Sequence, residues 1–176
     1  MSHRAALLAT LLALLPAAPA LAAPRPQGGG ERSFRLGLQA SYADDAEFGV
    51  GARALWRLPV EAPLDLIGSF DYFFPPETEG AVTVEAGYWE ANGNLAYRLG
   101  RRRFRPYLGA GLNVARSRAR LTFLGRETGA ASDTALGANV LAGLRRVRAS
   151  GFDLFVEARF EIKGGEQFVA TVGLLF

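Results

Sequence analysis

The plainest structural signal in this chain is carried by the ten residues Gln167-Phe168-Val169-Ala170-Thr171-Val172-Gly173-Leu174-Leu175-Phe176. Successive side chains of a β-strand point to opposite faces, so one face of this segment is wholly apolar. That face consists of Phe168, Ala170, Val172, Leu174 and Phe176, with an aromatic residue at each end. Such a face is typical of a strand that meets lipid, and it indicates a membrane-spanning β-barrel.

Pairs of aromatic residues with the same spacing, eight positions apart, occur at four other places in the chain. Because eight is an even number, both members of a pair lie on one face of a strand. Eight steps of about 3.3 Å, tilted by roughly 40°, span about 20 Å along a barrel axis, close to the height of the apolar band of an outer-membrane barrel. The predicted aromatic girdles are Phe34, Tyr42, Phe48, Trp56, Trp89, Tyr97, Phe152, Phe160, Phe168 and Phe176.

The first 23 residues have the features of a cleaved signal peptide. Arg4 is followed by the uncharged apolar run Ala5–Leu15, and Ala20-Leu21-Ala22 offers a small-x-small cleavage site. An uncleaved anchor is the alternative, but the run is short for a membrane span and prolines follow it. The chain has no cysteine, which excludes a lipoprotein anchor. We therefore predict an exported protein with residues 24–32 as a flexible lead-in and residues 33–176 as one barrel domain in the outer membrane.

Eight segments alternate between apolar and polar residues and are separated by turn signals. They predict an all-β fold, an eight-stranded antiparallel up-and-down transmembrane β-barrel with both ends in the periplasm. The two long connections, Pro75–Gly87 and Ser117–Asp133, are expected to be outer loops. The predicted strands are Ser33–Tyr42, Glu47–Leu58, Leu64–Phe74, Tyr88–Leu99, Phe104–Arg116, Thr134–Val147, Phe152–Glu161 and Gln167–Phe176.

Alternation alone also fits a soluble periplasmic barrel of the lipocalin type, which turns its apolar face inward around a hydrophobic ligand. Three features favour the membrane barrel. Aromatic residues bracket the apolar faces, the polar faces are rich in Gly, Asn and opposite charges, and the last strand ends on an aromatic residue. The soluble carrier is retained as the alternative, together with a minor pore for small solutes.

The polar faces predict a salt-bridged lumen with no continuous water channel. An eight-stranded barrel is only wide enough for side chains to fill, and each charge in a low-dielectric interior needs a partner. Arg53 and Glu157 lie at similar depth and are the first candidates for its centre. Seven inward apolar positions appear scattered and are interpreted as fillers rather than a lipid pocket. The predicted charge network is Arg53, Arg57, Asp65, Asp71, Glu90, Arg98, Arg145, Asp153, Glu157, Arg159 and Glu161.

Three segments resemble those of the small eight-stranded outer-membrane barrels of the OmpA/OmpX type: Phe48-Gly49-Val50-Gly51-Ala52-Arg53, Arg105-Pro106-Tyr107-Leu108-Gly109-Ala110-Gly111-Leu112 and the Phe176 strand. The resemblance covers about residues 33–176 and implies architecture more than function. It implies that the barrel-assembly machinery reads the terminal strand, at Phe168, Val172, Leu174 and Phe176. The peptidoglycan-binding domain that OmpA carries is not expected here.

The composition excludes several kinds of site. Residues 24–176 contain neither His nor Cys, so imidazole-based catalysis and the usual zinc sites are excluded. Small outer-membrane barrels that are enzymes resemble one another in placing a His at the site, so no enzyme activity and no cofactor are expected. Asp71 and Glu90 are expected to approach each other near the outer rim. We interpret them as salt-bridged carboxylates of the lumen rather than as an acid–base pair. Without Arg4, 19 basic residues face 17 acidic ones, which does not indicate a nucleic-acid partner.

The two rims of the predicted barrel differ in charge. Arginines crowd the periplasmic turns, where anionic headgroups are available, and others lie in the third outer loop, near the phosphates of lipopolysaccharide. The expected partners are therefore outer-membrane lipids and lipopolysaccharide, besides the assembly machinery. The function predicted is structural or interactive, in the cell envelope. The candidate headgroup contacts are Arg101, Arg102, Arg103, Arg116, Arg118, Arg120 and Arg126.

Overall fold

The structure, a computed structural model, describes residues 33–44, 46–75, 82–100, 103–123, 126–148, 151–162 and 166–176. The predicted signal peptide and lead-in lie outside these residues. Within them no helix is long and apolar enough to cross a membrane. The eight strands are β1 Phe34–Ala43, β2 Glu47–Arg57, β3 Leu64–Phe73, β4 Val82–Arg98, β5 Phe104–Phe123, β6 Arg126–Arg146, β7 Asp153–Glu161 and β8 Gln167–Leu175.

Each strand pairs antiparallel with the next along the chain, and β1 also pairs with β8. At the closing seam, Gly37 is opposite Leu175 and Ala43 is opposite Val169. The result is a closed up-and-down barrel with no strand out of sequence order, which confirms the predicted fold class. We call the end at which β1 begins and β8 ends the near end, and the opposite end the far end.

Large apolar side chains cover the outside of this barrel. Leu112 and Leu136 are the extreme cases, with 71% and 74% of their surface exposed. The alternate positions on the same strands, Asn113 and Asn139, are buried in the lumen. An apolar exterior around a polar interior is the reverse of a lipocalin-type carrier, so that alternative is wrong. The same arrangement is the one a bilayer requires, because lipid satisfies no polar group.

The outward aromatic residues collect at the two ends. Phe34 is opposite Trp56 at the near end, whereas Tyr42 is opposite Phe48 at the far end. Trp89 belongs to the far group, where its ring centroid lies 5.7 Å from that of Phe70. Each of the ten predicted girdle residues lies on the outward face and is exposed or partly exposed.

Strands β4, β5 and β6 are longer than predicted. Of the two segments expected to be long outer loops, Ser117–Asp133 is strand throughout its described residues and Pro75–Gly87 is strand from Val82 onward, because the pairing continues from Trp89 opposite Arg116 up to Val82 opposite Phe123. The pairing between β5 and β6 also continues to Phe123, which is opposite Arg126, with a register shift at Leu121/Thr122. The added part of β6 consists of small and polar residues that lack the apolar alternation of a strand, but their backbone groups find partners across the hairpin. The added parts of β4 and β5 do alternate, in Val82-Thr83-Val84-Glu85 and Ala119-Arg120-Leu121-Thr122-Phe123, and this signal was missed. The other strand ends differ from prediction by at most one residue.

This extension forms an arm that rises beyond the closed barrel. β3 pairs with β4 only as far as Tyr88, and β7 pairs with β6 only from Asn139. Beyond those residues, the sheet is limited to β4, β5 and β6 within the described chain. The arm therefore continues the wall of the barrel on one side.

Candidate functional site

The lumen gathers most of the polar side chains that the structure buries. Alternation turns every second side chain of each strand inward, and in this chain those positions carry Arg, Asp, Glu, Asn, Gln, Ser and Thr. Eight strands enclose too little space for a water-filled channel, so these side chains meet across the lumen. The lumen is the candidate functional site.

Arg53 and Glu157 meet at the centre. The guanidinium of Arg53 donates two parallel hydrogen bonds to the Glu157 carboxylate, at 2.9 and 2.5 Å. The hydroxyl of Tyr107 donates to the same carboxylate at 2.9 Å, and Arg53 Nε donates to Gln39 at 2.8 Å. The guanidinium carbon lies 4.2 Å from the ring centroid of Phe155. Both members of this bidentate pair are buried, so neither carries an uncompensated charge.

A second group of polar residues fills the far half of the lumen. Asp71 accepts two hydrogen bonds from the Gln39 amide at 2.8 Å and one from Ser41 at 2.9 Å. Arg159 pairs with Glu90, and its Nε lies 3.5 Å from Glu161. Among the residues that the structure describes, the three buried carboxylates Asp71, Glu90 and Glu161 thus share the far half with the guanidinium of Arg159.

Asp71 and Glu90 lie directly opposite each other on β3 and β4. These carboxylates were predicted from the sequence to approach each other, and the register brings their strands together at that point. The two carboxylates accept hydrogen bonds from different side chains. Gln39 and Ser41 donate to Asp71, whereas Asn92 donates to Glu90 at 3.1 Å. Among the described residues, no group of three acidic, His or Cys side chains is placed to hold a metal ion. Both carboxylates are thus bound by hydrogen-bond donors inside the lumen.

Apart from Arg53 and Arg159, the arginines that line the described part of the lumen lie in its near half. Arg35 Nη1 lies 2.9 Å from Asp153, which also accepts the Arg148 backbone N–H at 3.0 Å. Arg98 Nε and Arg145 Nη2 approach the single carboxylate of Asp65, at 3.2 and 3.7 Å. The other inward charges at this end are Arg57 and Arg105, both of which are partly buried.

The inward apolar residues are clustered rather than scattered, which corrects the sequence-based expectation. Leu55, Ile67, Phe155 and Leu175 pack with Leu141, Ala96 and Tyr107 in the near half. Phe73 and Val169 pack with Ala43 and Ala46 at the far end. The sequence pattern missed this because barrel strands are staggered, and residues distant in sequence reach one level. A cavity of about 10 Å³ adjoins the near cluster, which is room for about one water molecule and not for a lipid.

Several members of the lumen were not predicted from the sequence. Arg35 and Arg105 belong to its charged lining, and Gln39 and Tyr107 connect the central pair to its surroundings. Their inward parity was a usable signal, since Arg35 alternates with Phe34 and Leu36. The partners of Arg35 and Tyr107 could not be predicted, because both lie on β7, which is not adjacent to either strand.

The candidate headgroup arginines occupy two places. Arg116, Arg118 and Arg120 lie in strand β5 rather than in a loop, on the face that carries Leu108 and Leu112. Arg126 begins β6 at the far end, but the structure does not describe its side chain. The candidates Arg101 and Arg102 lie outside the described residues. At the near end Arg103 is exposed, and two neighbours not on the predicted list, Arg146 and Arg148, lie over the rings of Phe104 and Phe152, at 5.8 and 5.2 Å from the centroids.

The four residues expected to form the assembly signal lie on the outward face at strand β8. Val172 and Leu174 are partly buried between β1 and β7, where Val172 is opposite both Ala40 and Val156. Phe168 and Phe176 are more exposed, at the far and near ends of this face. The face is therefore presented to the surroundings of the barrel.

No protein-family model matches the sequence, and no curated protein matches it either. Several solved structures are similar to the chain in fold. Neisserial surface protein A matches with a TM-score of 0.62 at 16% identity, over 82% of this chain and 96% of that one. The N-terminal β-barrel domain of Pseudomonas aeruginosa OprF matches with a TM-score of 0.54 at 16% identity, over 81% and 96%. The attachment invasion locus protein Ail of Yersinia pestis matches with a TM-score of 0.51 at 15% identity, over 81% and 93%. This chain has the fold of the small eight-stranded outer-membrane β-barrels.

Proposed function

We propose that the protein is a non-enzymatic integral outer-membrane barrel whose salt-bridged lumen is closed, and that its role in the cell envelope is structural or interactive. In this arrangement the near end faces the periplasm and the far end faces outward. The observation that carries the proposal is the central Arg53–Glu157 pair, which spans the lumen with two hydrogen bonds. A barrel with a filled centre adds a rigid element to the membrane without making it permeable.

The surroundings of this pair support closure. Tyr107 and Gln39 bind the pair from two further strands, and Phe155 packs against the guanidinium. The absence of His and Cys from residues 24–176 supports a role without catalysis. Export through a cleaved signal peptide and insertion by the barrel-assembly machinery belong to the same proposal. Fractionation tests its location: the protein is expected in isolated outer membranes, shortened by about 23 residues, the length of an ordinary signal peptide.

Conductance of the purified, refolded protein in a planar bilayer tests closure. The wild-type protein is expected to show no stable open level. A variant with both central side chains removed, Arg53→Ala/Glu157→Ala, is the matched control that opens the centre. A stable, large conductance from the wild-type protein would contradict closure and favour the minor pore, the remaining alternative.

A second function is favoured by the arginine stripe, which we define as Arg116, Arg118 and Arg120 on the outward face of β5. Residues two apart on a strand are about 6.6 Å apart, so the stripe extends for about 13 Å above the lipid-facing part of the strand. Trp89 is directly opposite Arg116, at the level of the far aromatic group. Small residues Thr134, Ser132 and Ala130 are opposite the stripe on β6, and leave it accessible.

We propose that the arginine stripe binds phosphate groups of lipopolysaccharide in the outer leaflet. Guanidinium groups bind phosphate with charge-assisted, bidentate hydrogen bonds. The Ail barrel of Yersinia pestis has been crystallised with the polyanion sucrose octasulfate, a heparin analogue. That complex is a precedent for anion binding on this fold.

Thermal unfolding in detergent, with and without added lipid A, tests this second function. Lipid A is expected to raise the unfolding midpoint of the wild-type protein, and Arg116→Gln/Arg118→Gln/Arg120→Gln is expected to lose most of that rise. The control is Arg103→Gln/Arg148→Gln, which removes exposed arginines from the near end and is expected to keep the rise. An equal loss in both variants would mean that lipid A responds to net charge rather than to the stripe.

A further inference from the structure

Two arginines lie on the outer wall of the barrel at its near end, where β6 ends. Arg146 is the last residue of β6 and is directly opposite Phe104 of β5, an exposed residue of the outward face. Arg148 follows two residues later and lies beside Phe152, another outward residue. We call Arg146 and Arg148 the near-rim pair. Its members carry positive charge on the surface that meets the membrane and not in the lumen.

Each arginine of the near-rim pair lies over an aromatic ring. The guanidinium carbon of Arg146 is 5.8 Å from the ring centroid of Phe104, and that of Arg148 is 5.2 Å from the centroid of Phe152. A ring face attracts a guanidinium group at this distance, which holds the side chain against the barrel wall. Aromatic girdles mark the level at which the hydrocarbon of a bilayer gives way to headgroups. The near-rim pair is therefore held at the level of the lipid headgroups.

The protein offers this pair no carboxylate within the described part of the chain. The nearest acidic residue along the strand hairpin, Asp153, is buried in the lumen, where Arg35 Nη1 contacts it at 2.9 Å. Asp153 does accept a hydrogen bond from Arg148, but from its backbone N–H. The guanidinium groups of the near-rim pair thus contact rings and not acids among the described residues. Their hydrogen-bond donors suit an anion from outside the protein.

Apolar side chains adjoin the near-rim pair on its membrane side. Leu144 lies two residues before Arg146 on the same outward face and is exposed. Leu154 of β7 is directly opposite Arg146 and is partly buried. The surface therefore places two positive charges at the edge of an apolar wall. That order matches an amphiphile with an anionic headgroup and acyl chains.

We propose that the near-rim pair is a binding site for an anionic phospholipid, for which phosphatidylglycerol is the probe. Both guanidinium groups donate hydrogen bonds to the phosphodiester, and the acyl chains lie along Leu144 and Leu154. The assignment to the inner leaflet rests on the proposed function, in which the near end faces the periplasm. The site is formed by the end of β6 and the residues after it, whereas the near-end candidates predicted from the sequence belong to the turn before β5.

Thermal unfolding of the refolded full chain in an uncharged detergent tests the proposal. Phosphatidylglycerol is added to one series and phosphatidylcholine, at the same mole fraction, to another. A ligand that binds only the folded state raises the unfolding midpoint with a saturable dependence on its concentration, and this rise is expected for phosphatidylglycerol alone. An equal rise with phosphatidylcholine would overturn the proposal. An equal rise with inorganic phosphate, which has no acyl chains, would overturn the assignment to a lipid.

The variant Arg146→Gln/Arg148→Gln locates the site. It is expected to lose most of the rise that phosphatidylglycerol gives the wild-type protein. The matched control Arg116→Gln/Arg118→Gln removes the same charge from the arginine stripe and is expected to keep the rise. An equal loss in the two variants would refute the site, because the lipid would then respond to net charge.

Lipid A separates the near-rim pair from the stripe. Its two phosphates lie at the ends of a disaccharide, which suits the longer arginine stripe. The near-rim variant is therefore expected to keep its response to lipid A while it loses its response to phosphatidylglycerol. Loss of both responses in this variant would contradict a site that is specific for phospholipid.

Electron spin resonance of labelled lipids keeps the proposal testable if the near-rim variant does not fold. In phosphatidylcholine vesicles, a spin-labelled lipid that contacts the barrel moves more slowly than one in the bulk bilayer. The measurement uses Arg116→Gln/Arg118→Gln/Arg120→Gln, so that the stripe does not contribute. Labelled phosphatidylglycerol is expected to show a larger slow fraction than labelled phosphatidylcholine, with a difference that falls as salt is added. Equal fractions would exclude selective binding.

These lipid measurements do not depend on the orientation of the protein in a cell or on closure of its lumen. Fractionation and conductance report on the location and the closure separately. Failure of the proposed function and failure of the lipid site are therefore distinguishable.

Discussion

At the residue scale, the lumen depends on charges that are buried together. Removing one partner of a buried ion pair leaves the other uncompensated, which typically costs about 3–5 kcal/mol. Glu157→Leu, which leaves Arg53 buried without its carboxylate partner, is therefore expected to lower the free energy of unfolding by that order. The double variant Arg53→Met/Glu157→Leu is expected to recover most of the loss, because no unpaired charge remains.

Urea unfolding in detergent micelles measures both changes, and a double-mutant cycle gives the coupling between the two residues. Arg53→Met completes the cycle. If the double variant were as unstable as Glu157→Leu, the pair would not be the source of the effect. Stacking of the Arg53 guanidinium on the Phe155 ring would then be the main contribution.

At the scale of the strand, the prediction from sequence succeeded where alternation was regular. The ends of β1, β2 and β3 were predicted to within one residue, because apolar and polar positions alternate there without interruption. Around Ala130 no such pattern exists, and the alternation of Ala119, Leu121 and Phe123 with Arg120 and Thr122 was not recognised, so the arm was predicted as loop. Backbone pairing needs no particular side chain, so the paired extension of β6 leaves little trace in the sequence.

The same limit applied to the lumen. Parity along a strand is readable from sequence, and it placed Arg53 and Glu157 on inward faces at similar depth, where the structure brings their side chains together. The partners of Arg159 and Asp71 depend on the stagger between strands, which single-strand parity does not contain. That stagger also gathers Leu55, Ile67 and Phe155 into one cluster.

The arm lies outside the ring of strands that closes the barrel, which leads to a prediction about its removal. Deleting residues 119–131, with Arg118 joined to Ser132 by a Gly-Gly turn, is expected to leave the barrel folded. The reason is that β3 and β7 pair only with parts of β4 and β6 that the deletion does not touch. The deletion protein should keep its resistance to SDS at room temperature on an unheated gel. Loss of that resistance would show that the arm contributes to closure.

At the scale of the whole molecule, one seam turns a sheet into a barrel. β1 and β8 pair over seven positions, from Gly37–Leu175 to Ala43–Val169. An open edge in lipid leaves backbone N–H and C=O groups unsatisfied, at a cost of several kcal/mol each in hydrocarbon. The barrel is therefore expected to resist SDS until heating opens this seam.

Gly37 makes the seam testable by a single methyl group. A Cβ at Gly37 would meet the Leu174 carbonyl oxygen and lie 2.9 Å from Leu175 Cδ2, so Gly37→Ala must push β1 away from β8. The temperature at which the barrel loses SDS resistance is expected to fall markedly, as read from heated and unheated gel lanes. Gly93→Ala is the matched control, because a Cβ there has no atom within 4 Å and points outward from β4. Equal effects of the two substitutions would mean that the barrel opens elsewhere, whereas a selective effect of Gly37→Ala shows that SDS resistance depends on close pairing of β1 with β8.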